Sequence, residues 1–173
     1  MANYIRKDIQ DIKAYTLSSY PEAIKLNQNE IPYDIPGELK AKVLEKLIHL
    51  PWNRYPLYQP FELRKQLAQS LAVDPEAVLI SNGSNVLIQA ILLATSLQSK
   101  VLTIDPTFSL YELEGKILGN EVVLCPLAED FSFPEQTFLQ KIAQEKPTAI
   151  FIANPNAPTA NLFSKQSLLK VIE

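Results

Sequence analysis

From Ala77 onward, short apolar runs alternate with stretches of helical periodicity, and no other feature restricts the fold of this chain as much. Ala77–Ile80, Val101–Ile104, Glu121–Cys125 and Ala149–Ile152 read as strands. Asn85–Ser96, Leu110–Leu118, Pro134–Glu145 and Ser164–Glu173 read as helices, with Gly119 placed to cap the second. Strands separated by helices do not pair as hairpins. They build a mostly parallel sheet with helices on both faces, an α/β fold.

The first part of the chain is organised differently. Residues 1–35 form an arm rich in Asn, Tyr and Pro. Pro36 suits the start of a helix, and Leu39, Val43, Leu47 and Leu50 recur at helical spacing until Pro51 ends the run. Pro51, Pro56 and Pro60 mark an extended loop, and Leu63, Leu67 and Leu71 mark a further helix from Phe61. The expected division is an arm, helix and loop over 1–60 and the sheet domain over 61–173. Leu168, Leu169 and Ile172 are apolar residues in a last helix followed by no cap, which reads as a chain stopping within a larger fold.

Composition excludes several functions. With a formal net charge of -3 and no basic stripe, the chain does not read as a nucleic-acid binder. The single cysteine, Cys125, follows an apolar run and reads as a buried thiol. The single histidine, His49, has no acidic or histidine partner nearby, so no metal site is expected. The longest apolar run, Val86–Leu93, is interrupted by Gln89 and is too short to span a membrane. With no apolar leader after Met1, the location expected is the cytoplasm.

The residues able to carry chemistry sit where strands end. Ser81-Asn82-Gly83-Ser84-Asn85 joins a strand to a helix. Unsatisfied N–H groups and the positive end of the helix dipole make such a junction suit a phosphate, although, taken alone, the segment reads first as Ser84 or Asn85 capping the helix. Asp105-Pro106-Thr107-Phe108 follows the next strand, and Phe108 is placed either to stack on a planar ligand or to fill the core. Asn154-Pro155-Asn156-Ala157-Pro158-Thr159-Ala160 follows Ala149–Ile152, at the strand edge where open α/β sheets bind ligands. Arg54-Tyr55-Pro56 and Asn27-Gln28-Asn29-Glu30 are polar loop segments. Lys165 reads as an exposed residue at a helix start.

Taken in order, Asn27-Gln28-Asn29-Glu30-Ile31-Pro32-Tyr33, Arg54-Tyr55-Pro56, Asn82-Gly83-Ser84-Asn85, Pro106-Thr107-Phe108 and Pro155-Asn156-Ala157-Pro158-Thr159 resemble the N-terminal part of the histidinol-phosphate aminotransferases. These are fold-type I enzymes that use pyridoxal phosphate. The resemblance implies that Gly83, Ser84 and Asn85 hold the cofactor phosphate and that Phe108 stacks on its ring. It implies that Tyr55 reaches the phosphate of the neighbouring subunit of a homodimer, and that Tyr15, Asn29 and Glu30 lie near the substrate. The family's second turn asparagine, which bonds the cofactor's phenolic oxygen, is replaced here by Ala157, and Asn156 is the neighbouring amide able to substitute. The family's ring-nitrogen aspartate and Schiff-base lysine would follow Glu173. The chain is therefore expected to be an N-terminal portion, inactive alone, of an enzyme exchanging the amino group between histidinol phosphate and 2-oxoglutarate. An aromatic aminotransferase, a phospho-amino-acid decarboxylase of the same fold, and a non-catalytic phosphate-binding or interaction domain stay open at this point.

Overall fold

We describe a computed structural model over residues 4–13, 24–58 and 60–173. The chain divides into two compact units, Tyr15–Ile80 and Met1–Ala14 together with Ser81–Glu173.

The first unit contains α2 (Gly37–Ile48) and α3 (Phe61–Leu71), after a short helix α1 (Lys7–Gln10) that belongs to the other unit. Ala72 ends α3 in the left-handed conformation, and Val73 N–H returns to the Ala68 carbonyl at 3.0 Å. Arg64 on α3 donates to the Pro75 carbonyl at 2.8 Å. These bonds tie α3 to the turn that follows it, within the unit Tyr15–Ile80.

Ala77–Ile80 is not a strand. Pro75–Ala77 forms a single 3-10 turn, and the Asp74 carboxylate caps it by accepting from Glu76 N–H at 2.8 Å. An Asp cap followed by Pro at the first helical position favours a helical turn. Val78 is extended, but no strand lies beside it among the described residues.

The second unit holds the sheet. Strands β1 (Lys100–Asp105), β2 (Glu121–Pro126) and β3 (Ala149–Phe151) are parallel, in the order β2-β1-β3. Leu102 lies opposite Val123 on one side and Ile150 on the other. Because side chains alternate along a strand, β1 sends Leu102 and Ile104 to one face and Val101 and Thr103 to the other. The first face joins Cys125 and packs against Phe138 and Ile142 of α6 (Glu135–Glu145) and Leu168 and Val171 of α7 (Lys165–Ile172). Leu168 thus has a core to join, while Leu169 and Ile172 stay exposed. On the second face Val101 packs with Ile88 and Leu92 of α4 (Ser84–Thr95) and with Tyr111 of α5 (Leu110–Ile117). This is the α/β arrangement with both faces of the sheet covered.

Two details fix the helices on the second face. Gly115 lets α5 approach β2 closely: a Cβ there would stand 2.7 Å from Val122 Cγ2. Arg6, ahead of α1, donates to the Ile117 carbonyl at 2.9 Å, which satisfies one of the open carbonyls at the end of α5.

Candidate functional site

The connections of the three strands define where a ligand crevice falls. From β1 the chain passes through α5 on one face to β2, and from β2 through α6 on the other face to β3. After β1 the chain turns to α5 on one face, and after β3 it turns to α7 on the other, so these adjacent strands are left towards opposite faces. Loops beyond their carboxyl ends part there, which is the topological switch point of an open sheet. The loop after β1 carries Pro106, Thr107 and Phe108, and the loop after β3 carries Asn154 through Ala160.

The start of α4 reaches the same edge. At its far end Ser96 meets Thr148 (2.9 Å between hydroxyl oxygens), and Thr148 meets Ser99 (2.7 Å), so the carboxyl end of α4 lies at the amino ends of β1 and β3. An α4 lying antiparallel to the strands puts Gly83, Ser84 and Asn85 at their carboxyl edge. Gly83 has φ 87 and ψ 158, a conformation open essentially to glycine alone. No side chain caps the first turn of α4, and no acidic residue lies in it. The site is thus an exposed helix start of positive dipole, with donors free of side-chain partners, which is what an anion requires.

Phe108 is half-buried and packs on the Ile88, Leu92 and Val101 cluster. Its ring meets Tyr111 edge-on at 5.5 Å between centroids, and Tyr111 stacks on Phe151 at 5.0 Å. Burial pushes the Tyr111 phenol up from its ordinary pKa, which keeps it neutral. Phe108 therefore packs on the core while staying part-exposed at the carboxyl edge of the sheet.

Asn156 is only 2% exposed. Its Nδ2 donates to the Pro106 carbonyl at 3.0 Å and to the Thr159 hydroxyl at 2.8 Å, while its Oδ1 accepts from the Thr107 hydroxyl at 2.8 Å. The expectation of a substitute amide at the turn thus meets a side chain whose two N–H bonds already have acceptors. Ala157 beside it is exposed. Asn154 accepts from Phe163 N–H at 2.9 Å, closing the loop onto the start of the next segment.

Other sequence candidates fall in the first unit. Tyr55 is fully exposed, and Asn29 is exposed with φ 54. Glu30 is exposed and accepts from Lys25. Tyr15 lies outside the described residues. Thr107 and Thr159 were not singled out from sequence, although both belong to the motifs. A hydroxyl near an amide carries no signal until the loops are folded together. Among the described residues no helix is long and apolar enough to cross a membrane.

This is the α/β fold with an open helix start and the loops after β1 and β3 at the carboxyl edge of its sheet, and the chain belongs to the aminotransferase class I and II family, whose pattern matches residues 21–173. More particularly, it is 41% identical over 169 residues to the histidinol-phosphate aminotransferase of Deinococcus radiodurans, covering 98% of this chain and 47% of that protein. The histidinol-phosphate aminotransferase structure from Clostridium acetobutylicum matches with a TM-score of 0.70 at 25% identity, over 82% of this chain and 40% of that one. The enzyme from Sinorhizobium meliloti, solved in complex with pyridoxal-5'-phosphate, shares the fold over 56% of this chain and 26% of its own, with a TM-score of 0.51 at 23% identity. The chain spans about half the length of the curated relatives it matches.

Proposed function

We propose that this chain supplies the phosphate cradle and the ring-facing loop of a pyridoxal-phosphate-dependent aminotransferase acting on histidinol phosphate and 2-oxoglutarate in histidine biosynthesis. The observation that carries the reading is the uncapped start of α4 at Gly83 and Ser84, at the sheet edge that also bears the Phe108 loop. The substrate assignment rests on the 41% identity to a histidinol-phosphate aminotransferase.

The residues fit the cofactor at two of its contacts. A Cβ built on Gly83 would meet no atom within 4 Å, so a group can approach the backbone of this turn closely. The N–H groups of Ser84 and Asn85, with the Ser84 hydroxyl, would hold the phosphate, and the positive end of α4 would favour its charge. Phe108 would lie against the ring, its own position fixed from behind by Tyr111. At the phenolic oxygen the fit stops, because Ala157 offers no donor. When bound, the cofactor supplies an electron sink for amino-group transfer. The contributions of this chain are binding, orientation and partial exclusion of water by the Phe108–Tyr111 aromatic pair. No lysine of the chain is assigned the covalent role.

In the same reading Tyr55 reaches the phosphate held by a second copy, which makes the working enzyme a homodimer. Tyr15, Asn29 and Glu30 belong to the substrate side. The setting is the cytoplasm, with small-molecule partners and no nucleic acid or membrane.

Calorimetric titration of the purified chain with pyridoxal phosphate, pyridoxal and inorganic phosphate tests this. Pyridoxal phosphate should bind best and be displaced by inorganic phosphate. Gly83→Ala should weaken both phosphate-bearing ligands about tenfold, a loss of about 1.4 kcal/mol, because the turn cannot keep its positive φ. Phe108→Ala should weaken pyridoxal phosphate alone. Binding that ignores both the phosphate and Gly83 would overturn the reading.

A further inference from the structure

Every polar group of Asn156 has a partner. The backbone N–H donates to the Asn161 carbonyl and the backbone carbonyl accepts from Ala160 N–H, both at 2.8 Å. In the side chain the orientation of the amide is fixed by chemistry. The Pro106 carbonyl only accepts, so the nitrogen must face it. The second hydrogen then goes to Thr159 and the oxygen receives Thr107. Two of these three bonds, to Pro106 and from Thr107, join loops that follow neighbouring strands, while the bond to Thr159 braces Asn156 within its own loop; Phe108 is the residue next to Thr107.

Few side chains can do this. Aspartate lacks both donors and would set a negative charge against the Pro106 carbonyl. Serine is too short to bridge the loops. Glutamine would push the amide outward by one methylene, in a site only 2% exposed. The arrangement asks for one short side chain with two donors and one acceptor, and asparagine meets that need.

We infer that Asn156 is a positioning residue. It locks the Thr107–Phe108 loop to the Asn154–Ala160 loop and offers no donor to a ligand, so it does not replace the amide that Ala157 lacks. That Phe108 is positioned for a cofactor ring rests on the function proposed above. The lock between the loops does not.

Amide NMR of the full chain separates the two. In the wild type, the Asn156 side-chain protons should exchange at least tenfold more slowly than those of exposed Asn82. Asn156→Asp should shift the Thr107 and Phe108 N–H resonances in the other loop while leaving Lys146 unmoved. Thr159→Val, a milder change should Asn156→Asp fail to fold, should speed Asn156 side-chain exchange about tenfold. Ile142→Val, which loosens the opposite face of the sheet, should leave all these signals in place; a purely structural loss of stability would give the same pattern in every variant. Unprotected Asn156 protons, or no response at Thr107 and Phe108, would overturn the proposal. Pyridoxal phosphate is then added to the wild type. If Ser84 and Phe108 stay unmoved, the cofactor reading fails and the lock stands. If the Asn156 side-chain protons lose their protection as Ser84 moves, the cofactor reading stands and the positioning role is overturned.

Discussion

Gln89 on α4 donates to Glu114 on α5 at 2.8 Å, the one exposed and the other 7% exposed. The bond ties the helix whose start forms the proposed phosphate cradle to the helix behind Phe108. The carboxylate is the vulnerable partner, because it is buried and Gln89 is not. Gln89→Ala removes a donor from a charged group away from water. It should lower stability by about 1.5–3 kcal/mol, more than an exposed residue ordinarily contributes. Urea unfolding of Gln89→Ala beside a control substitution at exposed Ala90 measures this; equal midpoints would show that the bond contributes nothing.

Ala160 has φ 60, in the left-handed region that favours glycine. Its N–H is held by the Asn156 carbonyl at 2.8 Å, so the conformation is fixed by the loop. A side chain in the left-handed region is disfavoured. Ala160→Gly should therefore raise stability by up to about 1 kcal/mol, the relief of strain being partly offset by the larger freedom of unfolded glycine. Ala160→Val should lower it, since a branched Cβ tolerates positive φ least. The paired thermal melts are informative through their sign: a loss of stability in Ala160→Gly would count against a strained turn.

Lys100 at the start of β1 donates to Glu145 at the end of α6 at 2.6 Å, with Glu121 a further carboxylate at 3.6 Å. The hydrogen bond to Glu145 is the main cause that raises the Lys100 pKa, and the same bond is the main cause that lowers that of Glu145. A lowered carboxyl pKa contributes stability above its unfolded value, and this is lost as pH falls through the folded one. A raised lysine pKa contributes stability below its unfolded value, and this is lost as pH rises through the folded one. The stability difference between wild type and Glu145→Gln should thus be constant from about pH 5 to about pH 10 and shrink beyond both ends. Melting curves across that range check it, and added salt should reduce the difference because both groups are solvent-accessible. A difference that grows towards acid would reverse the assignment.

Some of this molecule was legible in single stretches of sequence. Val101–Ile104 and Glu121–Cys125 are strands because a run of apolar residues, bounded by polar turns, has nowhere else to bury both its faces. Gly83 before Ser84 announces a helix start, because positive φ and open N–H groups are local properties. Ala77–Ile80 has the apolar content of a strand and forms none, because apolar content alone does not make a strand. The Asp74-Pro75 cap formed a 3-10 turn there, and a ladder needs a neighbour that sequence does not place. The order β2-β1-β3, and with it the switch point, depended on which face each crossover helix took. Packing of Phe138 of α6 with Leu102 on one face and of Tyr111 of α5 with Val101 on the other decided that. The role of Asn156 was equally a tertiary matter. Its partner Thr107 comes from another loop, and an amide in a sequence motif looks the same whether its donors are free or already bound. Sequence by itself determined the family and most of the local conformations, Ala77–Ile80 excepted. Only the folded loops, by bringing groups distant in the chain within hydrogen-bond range, decided which polar atoms remain free at the site.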